Sequence, residues 1–256
     1  MKYKLLPLIV ALAVLGGCKK DNREPPKSTL DGMVVVQGTK TAVGVQSNGT
    51  QLELWQDGFA LRQKIPIYID QTGLFSAKLF DGRYKLVRLT GGPWKTNTDT
   101  ITIDLKGHAV VEVPVDPFFT VGGETITYNA SDTSITAMFS ISRLDATKNA
   151  DRVSLHLGQT IIVDANNQIP FNGPAAINDL TPPGTYLTAP VTIKVYLNPA
   201  RHPNFKDGQG RDVSNAELRR QLGDILNKKY TFARVAVKTT NVTQRMYTQV
   251  KEIKLQ

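Results

Sequence analysis

Cysteine is almost missing from this chain. Of 256 residues, only Cys18 carries a thiol. No internal disulfide is possible, and a fold of this size must be held by its apolar core. Histidine is nearly as scarce. His108, His156 and His202 are far apart, with no second thiol and no His-x-x-x-His spacing, which argues against a zinc site. Long apolar runs are also lacking. The one N-terminal stretch, Leu5 to Leu15, is well short of the roughly 20 residues a membrane-spanning helix needs. There is no Gly-x-Ser-x-Gly elbow, and Gly122-Gly123 is not followed by the Lys-Ser/Thr of a phosphate-cradling loop. Asp207-Gly208-Gln209-Gly210-Arg211-Asp212 lacks the alternating oxygen ligands and closing Glu of a calcium loop. Most other carboxylates fall in turns or on the wet faces of strands. The expectation is a protein that is not an enzyme and needs no metal or cofactor.

What is present begins with the N-terminus. Lys2 and Lys4 precede the apolar run, which ends in Leu15-Gly16-Gly17-Cys18. A basic start, a short apolar core and small residues at a cleavage point form a secretory signal. The Leu-Gly-Gly-Cys motif resembles the lipobox of bacterial lipoproteins. That resemblance implies a signal peptide over residues 1–17 and acylation of Cys18. The partner so implied is a lipid bilayer, held firmly only if more than one acyl chain is attached. Lys19 stands where an inner-membrane retention signal would have Asp, so the expected location is the outer membrane, with the face left open. Residues 18–28 are polar and carry two prolines, the composition of an extended tether.

The formal charge is +9, from 31 basic and 22 acidic side chains. A basic balance can suit nucleic acid, anionic lipid or acidic glycans. Here it is diffuse and forms no basic helix or run, so nucleic acid is not an expected partner.

From residue 29 to 116, apolar residues recur with period two, as in Ile65, Ile67 and Ile69, in Ile101, Ile103 and Leu105, and in Val111, Val113 and Val115. Such alternation marks strands with one buried face. Asn48-Gly49, Asp57-Gly58, Asp81-Gly82 and Lys106-Gly107 supply the turns. About seven strands of this kind predict a small β-sandwich. The stretch Asp70 to Val87, with Gly73-Leu74-Phe75 and Gly82-Arg83-Tyr84, resembles the transthyretin-like, carboxypeptidase-regulatory sandwiches.

Asp116-Pro117 interrupts the pattern and predicts a domain boundary. Residues 117–256 then read as a second sandwich, of immunoglobulin or fibronectin-III type. Its predicted faces are Ile135, Ala137, Phe139, Ile141; Val153, Leu155, Leu157; and Val191, Ile193, Val195, Leu197. A terminal hairpin is expected over Tyr230–Thr240 and Met246–Leu255. Inserted in this second sandwich, ahead of the hairpin, is a loop-helix segment, 198–229. Ser214-Asn215-Ala216-Glu217 has capping-box spacing, and Leu218, Leu222, Ile225 and Leu226 share one helical face, predicting a helix from Ser214 to Lys228. The fold class expected is all-β: two tandem β-sandwiches with one short helix inserted in the second.

The lipobox, the tether, "LDGMV", "NGTQLELW", "KLFDGRYKLV", "GGPW" and "VEVPVDPF" together resemble a family of two-domain lipoproteins found with the glycan-utilisation systems of gut anaerobes, a family whose members carry a domain-of-unknown-function label. The resemblance implies a setting beside a polysaccharide transporter, where small sandwich lipoproteins bind glycan. Aromatics at the surface are then the candidate contacts. Trp55 alternates with Leu52 and Leu54, on the polar face of its strand. Trp94 lies in a loop that no strand claims, and Tyr68 alternates with buried isoleucines. These three are the candidate oligosaccharide-binding residues, to be weighed against burial under a neighbouring loop or domain. The alternative is an assembly module that binds a neighbouring transporter or lipoprotein through 198–229.

Overall fold

The computed structural model describes residues 24–58, 60–171 and 178–256. Cys18 and residues 1–17, where a signal peptide is expected, lie outside the described residues. Within them the chain is all-β with one short α-helix, in two tandem sandwiches.

The first sandwich contains β1 (Ser28–Val36), β2 (Gln51–Gln56), β3 (Lys64–Tyr68), β4 (Leu74–Leu79), β5 (Gly82–Arg88), β6 (Thr100–Leu105) and β7 (His108–Val115). One sheet has the order β4-β1-β7 and the other β3-β2-β5-β6. β1 and β7 run parallel, from Thr29 opposite His108 to Val36 opposite Val115; the other pairs are antiparallel. The alternating residues do what their period dictates. Leu30, Val34, Leu52, Leu54, Ile67, Leu86 and Val113 turn inward and are sealed from water.

The second sandwich contains β8 (Phe119–Asn129), β9 (Ser134–Arg143), β10 (Ala150–Gly158), β11 (Asp179–Leu180), β12 (Val191–Tyr196), β13 (Phe205–Lys206), β14 (Asp212–Val213), α1 (Ala216–Lys228), β15 (Tyr230–Thr239), β16 (Arg245–Tyr247) and β17 (Lys251–Lys254). Its sheets are β12-β9-β8 and β11-β10-β15-β16, with β17 also on β15, and β13 and β14 form a separate two-stranded ribbon. The terminal hairpin is therefore broken in its return strand. The break at 248–250 lets Thr248 serve Arg234: its carbonyl accepts from Nε at 2.9 Å, and its hydroxyl accepts from Val235 N.

The helix begins at Ala216, one residue later than a capping box on Ser214 would set it. Asn215 occupies the cap position, but its side chain makes no cap bond. It donates instead to Pro203 O at 2.8 Å, while Asn204 accepts from its backbone N–H. Glu217, free of the box, pairs with Arg220 and accepts from Gln221. The bonds from Arg220 and then Gln221 lower its pKa to about 2. Leu218, Leu222 and Ile225 are fully buried, so the apolar face of α1 is spent on the domain's own core.

The two sandwiches meet through polar groups. Arg234 of β15 is fully buried. Its guanidinium donates to Val45 O and Gln71 O in the first sandwich, at 3.2 Å each, and to Val163 O in the second at 3.2 Å. Gln71 Oε1 accepts from the same guanidinium at 3.3 Å and from Val163 N at 3.1 Å, and Gln71 Nε2 donates to Ile161 O at 2.6 Å. The Tyr247 ring stacks 4.3 Å from the guanidinium. Gly44 must be glycine here, because a Cβ would stand 2.3 Å from Tyr247 O. Alternation with Leu155 and Leu157 would by itself turn His156 toward water, and the structure does not. Strand β10 is covered on both sides, and the imidazole is 1% exposed.

Candidate functional site

The three aromatic candidates separate. Trp94 is buried at 3% exposure, which removes it as a stacking platform. The loop around it clasps the interdomain linker: Lys95 N donates to Asp116 O at 2.8 Å and Phe118 N to Pro93 O at 3.2 Å. Trp94 itself bridges to Pro117. The Gly-Gly-Pro approach is needed because a Cβ on Gly92 would stand 2.6 Å from the indole. Its role is to anchor the linker, and the loop that looked free in sequence is covered by the boundary it precedes.

Trp55 and Tyr68 share the outer face of the β3-β2-β5-β6 sheet. Gln51 pairs with Tyr68, Glu53 with Pro66 and Trp55 with Lys64, while Leu52 and Leu54 point inward. Four residues of strand separate the two aromatic rows, about 13 Å. Trp55 is partly covered and stands between Lys64 and Lys85 in register. Lys64 turns to Glu53 at 3.0 Å. Tyr68 is 56% exposed on the edge strand β3.

Tyr68 also borders a groove of 430 Å³ lined by Asp31, Gly32, Asn48, Asp70, Leu74, Phe75 and Ser76. Four separate segments meet there: β1, the loop before β2, the β3–β4 turn and β4. The turn is set by Asp70, whose Oδ1 accepts from Thr72 N, Thr72 Oγ1 and Leu74 N at 2.7, 2.7 and 3.0 Å. The neighbouring Gly73 is in the left-handed region at φ +90°, a turn conformation that only glycine adopts cheaply. Gly32 faces Phe75 across the β1–β4 pair, and a Cβ there would stand 2.1 Å from the ring. Asp31 sits opposite Ser76. Hydrogen bonds from Ser76 and then His108 hold its carboxyl below the usual range. The groove thus combines an exposed phenol ring and the half-exposed Leu74 with two carboxylates, an amide and a hydroxyl. Such a wall can pack one face of a ring and accept hydrogen bonds from its substituents.

Tyr68 was legible from alternation. Asp31, Asn48, Asp70 and Ser76 lie on separate segments that nothing in their local sequence ties together. The one local signal was Gly32 inside a strand, which marks a close approach.

A second cavity of 250 Å³ lies between β10, the following loop and α1, lined by Gln159, Thr160, Asn166, Asn167, Gln168 and Arg220 among others. Most of its polar side chains are already engaged. Asn167 donates to Asp164, Gln159 and Arg220 to Asp224, and Gln168 Oε1 takes His156 Nδ1 at 2.7 Å. Burial lowers the pKa of His156 to about 4, opposed by the Gln168 bond, so the imidazole is neutral in place. The remaining histidines are also structural: His202 Nε2 lies 2.8 Å from Tyr196 O, and His108 pairs with Asp31 at 2.9 Å. In the 207–212 loop, Asp207 is filled by Gln209 N, Arg211 N and the Arg211 guanidinium.

The fold defines an all-β, two-domain sandwich protein with a shallow mixed groove on its first domain. The family profile for the N-terminal domain of DUF3823, a protein family of unknown function, matches residues 28–116, and that for its C-terminal domain matches 124–252. The chain belongs to the DUF3823 family. A Bacteroides ovatus member is 31% identical with a TM-score of 0.69, and a Parabacteroides merdae member is 29% identical with a TM-score of 0.70. Each crystal structure covers 90% of this chain and is itself covered completely. A Bacteroides uniformis protein described as a candidate for carbohydrate binding shares the fold at 18% identity and TM-score 0.66, over the same 90% and 100%. No curated protein matches the chain. Among the described residues no helix is long and apolar enough to cross a membrane.

Proposed function

We propose that this chain is a non-enzymatic glycan-binding lipoprotein, anchored to the outer membrane through acylated Cys18, which holds oligosaccharide in the groove beside Tyr68. The observation that carries the reading is the pairing of a 56% exposed aromatic with a 430 Å³ groove whose polar lining is mostly acceptors. Sugar rings present an apolar face and a rim of hydroxyl donors, which is the complement of that wall. Trp55, on the same sheet face, is a second contact for a ligand long enough to reach it. The alternative, an assembly module using 198–229, draws less from the geometry, because the apolar side of α1 is turned inward.

The test is calorimetric titration of the full-length chain with a panel of oligosaccharides, repeated with Tyr68→Ala. Tyr68 packs little in the fold, so stability should change by no more than about 0.5 kcal/mol. Binding that is saturable in the parent and lost in Tyr68→Ala supports the reading. Binding that survives the substitution moves the site elsewhere. Silence across the panel with folded protein sinks it. Acylation is tested separately: Cys18→Ser should release the chain from the membrane fraction.

A further inference from the structure

The chain carries a formal charge of +9, which alone would favour acidic ligands. The groove beside Tyr68 has the opposite local sign. Asp31 and Asp70 line it, and among the described residues no lysine or arginine does. The bases whose charge acts on the lining carboxylates are engaged outside the wall: His108 pairs with Asp31 Oδ2, Lys78 donates to Thr29, Arg234 is bound to Val45 O and Gln71 O, and none of them lines the groove. Asp31 is held in its ionised form by Ser76 and His108. Asp70 spends Oδ1 on its own turn, while among the described residues no hydrogen bond reaches its Oδ2.

Resting on the glycan reading above, we infer that this groove takes a neutral, hydroxyl-rich sugar and discriminates against uronic acids and sulfated sugars. A sugar hydroxyl donates to Asp31, Asp70 or the Asn48 oxygen without changing the charge of the site. A ligand carboxylate placed there has no proton to donate and lies against two like charges with no cation in the wall to offset them. The protein's overall positive charge does not rescue it. Exposed charges beyond about 8 Å are screened at physiological ionic strength, whereas the two lining carboxylates act at contact range. Local sign therefore decides which sugar is held, and net charge affects only the approach.

The experiment compares neutral trisaccharides (maltotriose, cellotriose, xylotriose) with trigalacturonate on the full-length chain by calorimetry, at physiological and at high salt. The expected result is that trigalacturonate binds at least about tenfold more weakly than the best neutral ligand at physiological salt. That gap should narrow at high salt and in Asp31→Asn, which keeps an acceptor for Ser76 and His108 but removes the charge. The salt comparison needs no variant and stands if Asp31→Asn fails to fold. Trigalacturonate binding as tightly as the neutral ligands, with both lost in Tyr68→Ala, overturns the inference and leaves the glycan reading standing. Binding of neither class, with the protein folded, overturns both.

Discussion

Replacing Arg234 with methionine isolates what the guanidinium does between the two sandwiches. Methionine keeps most of the stem volume, so the loss is that of the charged head and its bonds. The guanidinium makes five hydrogen bonds, to Thr248 O, Val45 O, Val163 O, Gln71 O and Gln71 Oε1, with three of them shared by Nη1. Counted as about four full charge-assisted bonds at about 1.5 kcal/mol each, they contribute about 6 kcal/mol. Against this stands desolvation, which pulls the pKa of Arg234 from 12.5 to about 10, a penalty of about 3 kcal/mol. Tyr247 stays protonated, burial having raised it to about 12, so the stack is a cation on a neutral ring and adds modestly. The expected cost of Arg234→Met is therefore about 3 kcal/mol, a large share of a typical domain's stability. Guanidinium chloride unfolding measures it with two probes. Both tryptophans lie in the first sandwich, so their fluorescence reports that domain, while far-ultraviolet dichroism reports both. The parent should unfold in one coincident transition, and the variant should show the two probes separating. A loss under about 1 kcal/mol with coincident transitions would refute the reasoning and mean that water satisfies these carbonyls as well as the guanidinium does.

Three other perturbations test separate parts of the fold. His156 is neutral when folded and takes a proton only near pH 4, whereas the unfolded chain takes it near 6.5; the unfolded state thus binds more protons in that window, and stability should fall by about 3 kcal/mol as pH drops through it. The groups facing this imidazole are Gln168, Tyr247, Arg234, Arg245 and Asp179, and denaturation of His156→Asn at pH 7 and at pH 4.5 should show a flatter dependence than the parent. Gly32→Ala should cost about 2 kcal/mol, read as a fall in Tm, because the new methyl meets the Phe75 ring; an unchanged Tm would mean that the ring moves freely. Leu222→Ala should cost about 3 kcal/mol by chemical denaturation, and a near-zero effect would show that α1 lies loosely on the domain rather than in its core.

The sheets were legible because alternation is a local property: Leu52 and Leu54, or Ile193 and Val195, announce their face without knowledge of what covers it. The helix was legible from the spacing of Leu218, Leu222 and Ile225. Covering is different, since it depends on distant segments. Arg234 alternates with Ala233 and Val235 as a surface arginine would, and only the arrival of Val45 and Gln71 from the other domain buries it. His156 was misplaced for the same reason, and Trp94 because the linker that buries it is more than 20 residues further on. The groove is the extreme case. Asp31, Asn48, Tyr68 and Ser76 become neighbours only once β4 has paired with β1.

The parallel pairing of β1 with β7 has a mechanical consequence. The chain enters the first sandwich at the start of β1 and leaves for the second at the end of β7, which lies at the opposite pole because the two strands point the same way. A pull between the residues that precede β1 and the second sandwich therefore drags these neighbouring strands past each other along their length. The load falls on the whole ladder from Thr29–His108 to Val36–Val115 at once, in shear, instead of opening it one rung at a time.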